Sequence, residues 1–235
     1  MKCILLCAGY DQKNDPLKFN FEGQPIIWYV LKQLETIDEI DEMYLVTNNT
    51  YYNSFEQFLH NIDYPKTISL INDNVNQPED ALGAIGDIMY TINMKEIDDD
   101  IMIVAGNNMF DFSLEPIVEY FKRKHTPVVC SSTIADYQRL QKFAVAQINE
   151  NQQIIDLVEK PMYPDSDIGV YAIYIYPKEV LKQFDYYLME GNKPDAPGYF
   201  VQYLYKKIPV YAYNVNGNYL ISEDIENMVK TKIKK

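Results

Sequence analysis

The chain has three cysteines, Cys3, Cys7 and Cys130, and two histidines, His60 and His125. A zinc site would ask for a second close cysteine pair or a neighbouring histidine, and covalent catalysis for a hydroxyl or thiol beside a histidine base. These spacings assemble neither. Cys3 and Cys7 fall on one face of an expected strand and read as small core hydrophobes, while His60 and His125 read as surface or helix-end residues. An odd number of widely spaced cysteines points to a reducing cytoplasm rather than to a disulfide framework. What remains for chemistry is a set of glycines, carboxylates and lysines at loop positions.

The elements that must position those loops follow from the apolar pattern. The chain is 235 residues long, 47% hydrophobic and 23% charged, enough for one domain with a sizeable core. Its 34 acidic against 21 basic residues give a net charge of -13, which opposes binding to a phosphate backbone and argues against a nucleic-acid partner. No apolar run approaches the roughly 20 residues of a membrane span, and the apolar opening reads as a buried strand rather than a leader. No membrane partner is expected.

Short β-rich runs at Lys2 to Ala8, Glu42 to Thr47, Thr67 to Ile71, Ile101 to Ala105 and Val128 to Ser132 alternate with helical patterns. Ile26, Ile27, Val30, Leu31 and Leu34 share one helical face, as do Phe55, Phe58, Leu59 and Ile62, then Ala81, Ala84, Ile85, Ile88 and Ile92. This is the sequence form of βαβ units, a doubly covered α/β fold with a mostly parallel sheet. Right-handed crossovers place the carboxyl ends of the strands on one edge, so the loops after Ala8, Thr47, Ile71 and Ala105 carry the site. Further on, Phe143 to Asn149 and Gln153 to Glu159 read as a hairpin and Asp167 to Ile175 as a third, antiparallel strand. Helices are expected at Lys178 to Glu190, Tyr199 to Lys207 and from about Ser222, with a strand at Val210 to Asn214. Tyr199, Phe200, Tyr203 and Tyr205 suit either the core or an interface.

Several segments in this order resemble the sugar-phosphate nucleotidyltransferases, the nucleoside-diphosphate-sugar pyrophosphorylases. They are Met1 to Tyr10 with Gly9 closing the first strand, Gly23-Gln24-Pro25-Ile26-Ile27, Leu82-Gly83-Ala84-Ile85-Gly86-Asp87 and Val104-Ala105-Gly106-Asn107-Asn108. Glu159-Lys160-Pro161, Gly169-Val170-Tyr171 and Asp195-Ala196-Pro197-Gly198-Tyr199-Phe200 complete the set. The resemblance implies a Rossmann-like three-layer αβα domain covering residues 1–235, with the sugar-binding part at about 140–235. It also implies in-line attack of a sugar 1-phosphate on the α-phosphorus of a nucleoside triphosphate, with magnesium and basic side chains neutralising the leaving pyrophosphate. Carried over residue by residue, Gly9 approaches phosphate, Gln77 and Gly83 meet the base, Glu159 meets sugar hydroxyls and Lys160 the sugar phosphate.

The chain departs from that pattern where charge is handled. The loop after Gly9 reads Tyr10-Asp11-Gln12-Lys13-Asn14-Asp15, with Lys13 near the family's arginine position and two extra acids beside it. The family's lysine falls on Pro16, with Lys18 two places away. The two magnesium aspartates fall on Asn107 and Ile221, an amide and an alkyl group, with Asp111, Glu223 and Asp224 as the nearest substitutes. The expectation is therefore a degenerate member that binds nucleotide, sugar phosphate or a protein partner, including a second copy of itself. The alternative is an active enzyme with rearranged ligands, using Lys13, Lys18 and Lys160 and requiring magnesium, that makes a nucleoside-diphosphate sugar or a similar activated compound.

Overall fold

The computed structural model describes residues 1–10, 17 and 20–233, so Lys13 and Lys18 lie outside the described residues. In chain order the first half comprises β1 (Lys2–Leu6), a small hairpin β2 (Asn20–Phe21) and β3 (Gln24–Pro25), α1 (Ile26–Glu35), β4 (Glu42–Thr47), α2 (Tyr52–Asn61) and β5 (Ile68–Asn72). It continues with α3 (Gly83–Met94), β6 (Ile101–Ala105), β7 (Met109–Phe110), α4 (Glu115–Lys124) and β8 (Val128–Thr133). The second half holds α5 (Tyr137–Leu140), β9 (Ala144–Ile148), β10 (Ile154–Glu159), β11 (Ile168–Tyr176), α6 (Leu181–Met189), α7 (Pro197–Leu204), β12 (Tyr211–Asn214), β13 (Tyr219–Leu220) and α8 (Ser222–Ile233).

Strands β5, β4, β1 and β6 pair in parallel in that order. β11 then runs antiparallel against β6, against β8 and, through its first residues, against β9 of the β9–β10 hairpin. β12 closes the far edge, parallel to β8. The expected mixed, mostly parallel sheet is present, with β11 and β10 as the reversed strands.

Alternation along β1 explains the three layers. Cys3, Leu5 and Cys7 face one side and pack with α1, α2 and α4, whereas Ile4 faces the other and packs with α3, α6 and α7. A strand buried on both faces needs apolar residues at every position, which is what the opening of the chain supplies. The cysteines are core residues as expected: Cys3, Cys7 and Cys130 are at most 4% exposed. His60 ends α2, and His125 is the left-handed residue that stops α4.

The strands Glu42–Thr47 and Ile101–Ala105 fall where expected, other boundaries shift by up to three residues, and the helix expected from Lys178 begins as a 3₁₀ turn before Leu181. Helix α4 is an element the sequence reading did not assign. Its signals are present nonetheless: Pro116 in the first turn, Ile117, Val118 and Phe121 on the buried face, and Lys122, Arg123 and Lys124 in the last turn.

Of the four aromatics with two readings, Phe200 is core. It stacks on Phe184 at 3.8 Å between centroids and meets Tyr176 and Tyr187 edge-on at 5.5 and 5.6 Å. Tyr199, Tyr203 and Tyr205 are half-buried against the same cluster, with the Tyr205 hydroxyl donating to Asp156 at 2.8 Å. Phe200→Ala is expected to destabilise the chain by about 3–5 kcal/mol through the cavity it leaves, measured as a fall in the urea midpoint at constant slope.

Candidate active site

The carboxyl ends of β1, β5 and β6 open into a cleft of about 820 Å³. It is lined by Gly9, Tyr10, Asn107 and Asn108, by the start of α3 with the segment Asp195 to Pro197 beside it, and by Glu159 and Lys160. The loop after β1 is fastened from beneath. Thr47 Oγ1 donates to the Cys7 carbonyl at 3.1 Å, Asn48 Nδ2 to the Ala8 carbonyl at 2.8 Å, and the Tyr10 hydroxyl to the Val75 carbonyl at 2.6 Å. Each bond ties the loop to a neighbouring strand end.

Gly83 has φ +74°, a conformation that favours glycine. A side chain there would strike the backbone of the loop before α7, its Cβ lying 2.7 Å from the Pro194 carbonyl oxygen. That carbonyl accepts from Ile85 N at 2.9 Å and so caps α3. The close approach at Gly83 therefore joins two elements of the chain itself, while the residue still borders the cleft. Gln77 is exposed and is not among the residues lining the cleft; it stands at the start of a 3₁₀ turn.

Glu159 and Lys160 end β10, and both line the cleft. Lys160 takes a left-handed conformation with its N–H on the Phe143 carbonyl at 3.1 Å. This turns the chain sharply at the strand end, so that two consecutive side chains reach one space. Gly198 makes room for the carboxylate, since a Cβ at that position would lie 1.7 Å from Glu159 Oε2. Burial raises the Glu159 pKa, and the nearby Lys160 charge pulls it back in part.

The carboxylates named as substitute metal ligands are engaged elsewhere. Asp111 is exposed and accepts from Asn218 N at 2.7 Å and Asn218 Nδ2 at 2.6 Å, which pins the turn before β13. Asp224 is held by Arg139 Nη1 at 2.8 and 2.9 Å and accepts from Ile221 N at 3.0 Å, closing the first turn of α8. Neither lines the cleft; Glu223, the third candidate, does line it and pairs there with Lys142 Nζ at 2.6 Å. Asn107 and Ile221 do line it. An amide and an alkyl chain are poor partners for magnesium, and no group of three His, Cys, Asp or Glu that could hold a metal occurs among the described residues. The described donor set does not fit a magnesium ion at the family's positions.

Other cleft residues went unnoticed in the sequence. Tyr219 is buried, stacks on Tyr171 at 4.1 Å, accepts from Asn108 Nδ2 at 2.9 Å and accepts from Ala172 N at 3.2 Å. Lys142 reaches Glu223 at 2.6 Å on the rim. Asp73, just past β5, and Asp87, on α3, lie beside one another at one end of the cleft, each 6% exposed. Burial first, then the charge of Asp73 and a hydrogen bond to it, push Asp87 up to about 8. Burial also raises Asp73, opposed by its bond from Val75 N at 2.8 Å. The signal for Asp87 was a carboxylate inside the apolar stripe Ile85, Ile88, Met89 and Ile92.

Comparison with known proteins accords with this geometry. The model of the nucleotidyl transferase family matches residues 12–220. The bifunctional protein GlmU of Methanocaldococcus jannaschii is 24% identical over 229 residues, covering 92% of this chain and 50% of that protein. A glucose-1-phosphate adenylyltransferase of Bacillus cytotoxicus is 25% identical over 100 residues, covering 43% of this chain and 26% of that protein. The chain thus spans at most about half the length of these relatives. A UDP-glucose pyrophosphorylase solved with UDP-glucose superposes with a TM-score of 0.73 at 16% identity, covering 99% of this chain and 98% of the other. That likeness shows the fold. The chain belongs to the nucleotidyl transferase family.

Asp87 has a testable signature. Its pKa is raised on folding, so its contribution to stability is full below the unfolded value near 4 and is lost as pH climbs to about 8. Asp87→Asn removes that loss. Thermal unfolding of the two proteins from pH 4 to 9 should show the variant gaining on the parent by several kcal/mol in order of magnitude as pH rises, with the two curves parallel above pH 8 or so.

Proposed function

We propose that this chain binds a sugar phosphate or nucleotide in the cleft and acts by that association, without the magnesium-centred nucleotidyl transfer of its family. The observation that carries the reading is the fate of the carboxylates: by the motif match Asn107 and Ile221 take the family's metal positions, while Asp111, Asp224 and Glu223 are bound to Asn218, Arg139 and Lys142. The acceptor side supports retained binding, because Glu159 and Lys160 reach the cleft together with Gly198 cut away behind the carboxylate.

In this reading the Lys160 ammonium takes the phosphate and the Glu159 carboxylate accepts from sugar hydroxyls, both as charge-assisted hydrogen bonds in a partly desolvated space. The net charge of -13 is against a nucleic-acid ligand. No helix among the described residues is long and apolar enough to cross a membrane. A second copy or another protein is the receiver of the bound state in this account, and a reducing cytoplasm suits the three buried cysteines.

Calorimetric titration of glucose 1-phosphate tests the binding half. Lys160→Ala is expected to weaken it about tenfold or more, the worth of one charged hydrogen bond, and equal affinity in parent and variant would remove Lys160 from the site. The metal half is tested with the double variant Asn107→Asp, Ile221→Asp. It should gain magnesium-dependent affinity for a nucleoside triphosphate relative to the parent, and a parent that already binds the triphosphate with strict dependence on magnesium would overturn the reading.

A further inference from the structure

A second concavity, of about 290 Å³, lies against α6 and α7 and shares no lining residue with the cleft. Lys193, Lys206 and Lys207 line it with Tyr199, Gln202 and Tyr203, and no aspartate or glutamate does. In a chain with 34 acidic and 21 basic residues, a hollow lined by three lysines and no acid runs against the overall charge. Lys206 and Lys207 follow the last turn of α7, where cations complement the helix dipole. That account does not extend to Lys193, which comes from the loop before the helix and still borders the same space.

Some of the polar groups here are committed and some are not. Lys207 Nζ lies 3.5 Å from Glu190 and donates to the Tyr203 hydroxyl at 2.5 Å, and that hydroxyl donates to Glu190 at 3.1 Å. Glu190 is thereby matched by one lysine. The Tyr187 hydroxyl donates to the Lys193 carbonyl at 2.6 Å and Asn192 Nδ2 to the Tyr187 carbonyl at 2.9 Å, which fixes the loop that carries Lys193. The Lys193 and Lys206 ammoniums form no ion pair among the described residues and stand 5.4 and 5.6 Å from the rings of Tyr199 and Tyr205. Gln202 adds a neutral donor whose direction is set. Its Oε1 accepts from Glu159 N at 3.3 Å, and because a backbone N–H can only donate, Nε2 is the half of the amide left over. Two cations and an amide NH₂ therefore lack an acceptor among the described residues, around a space of small-ligand size.

We propose that this hollow is a second binding site, for the phosphate group of a small ligand, in which Lys193 and Lys206 supply the charge and Gln202 Nε2 a neutral donor. A phosphate brings close to two negative charges and three strong acceptor oxygens, which two ammoniums and an amide answer, and lysine serves as a compact point charge for it. A carboxylate brings one charge and two oxygens and leaves one of the cations unmatched. Two sources share the chemistry: the free phosphate ion, and a phosphate monoester whose organic part packs on Tyr199 and Tyr203. An acidic protein segment asks for a longer groove than about 290 Å³ provides. The site is separate from Lys160, which lines the cleft.

Isothermal titration of the full chain carrying Lys160→Ala tests it with inorganic phosphate, ethyl phosphate and phenyl phosphate, and with a hexaglutamate peptide as control. Because Lys160 is absent from the titrated chain, the outcome does not depend on the reading of the cleft. One equivalent of at least one phosphate probe should bind, and adding Lys193→Ala with Lys206→Ala should weaken it tenfold or more; both lysines are exposed, so the fold is kept. Gln202→Glu keeps an acceptor for Glu159 N while replacing the donor with a negative charge, and should weaken the same probe tenfold as well. Inorganic phosphate binding as tightly as the esters assigns the free ion. An ester tighter by threefold or more assigns the monoester, and phenyl phosphate tighter than ethyl phosphate places its ring on the tyrosines. No binding by any phosphate probe, an affinity unchanged in either variant, or the peptide binding more tightly than every phosphate overturns the site.

Discussion

One strand holds the cleft together. β11 is hydrogen-bonded to β6 through its last four residues, to β9 through its first three, and to β8 along its other edge. The four parallel strands bring Gly9, Asp73 and Asn107 to one edge, and Glu159 with Lys160 joins them only if the β9–β10 hairpin is paired into the same sheet. β11 does this by changing partner midway, with a register shift between Val170 and Tyr174. Its aromatic residues then seal both sides of the sheet: Tyr171 stacks on Tyr219, while Tyr174 and Tyr176 face the α6–α7 layer. That α3 and Glu159 with Lys160 line one cleft is a consequence of that pairing.

Electrostatics divides the cleft. On the hairpin side, a buried glutamate and an adjacent lysine offer a matched pair for a phosphorylated, hydroxyl-bearing ligand. On the α3 side, two buried acids have no cation acting on them among the described residues, and their mutual repulsion is relieved by holding a proton. The rim near α8 has spent its charges inward, with Arg139 on Asp224 and Lys142 on Glu223.

The layers and the cleft edge were legible because they are written in local patterns: continuous apolar runs for two-sided strands, amphipathic stripes for α1 and α3, and glycines where the chain turns at Gly9 and Gly83. The glutamate-lysine pair was legible because its two residues are adjacent. The fates of Asp111 and Asp224 were not, because each depends on a partner far along the chain, Asn218 and Arg139, separated by 107 and 85 residues. Only the folded register brings these together. Asp87 lies between the two cases: its place in an apolar stripe was visible, but its meaning required Asp73, which the sheet delivers from another strand. Gly83 matched a motif for one reason and is required by the fold for another, the backbone of Pro194 packed against it.

The most direct test of the central claim is pyrophosphate release by the unaltered chain, supplied with magnesium, each nucleoside triphosphate and a panel of sugar 1-phosphates, while binding of glucose 1-phosphate is followed in the same preparation. The account predicts binding without magnesium-dependent release above the buffer rate. Sustained turnover with any pair of substrates would contradict it and would place catalytic charge where the described residues of the cleft do not supply it.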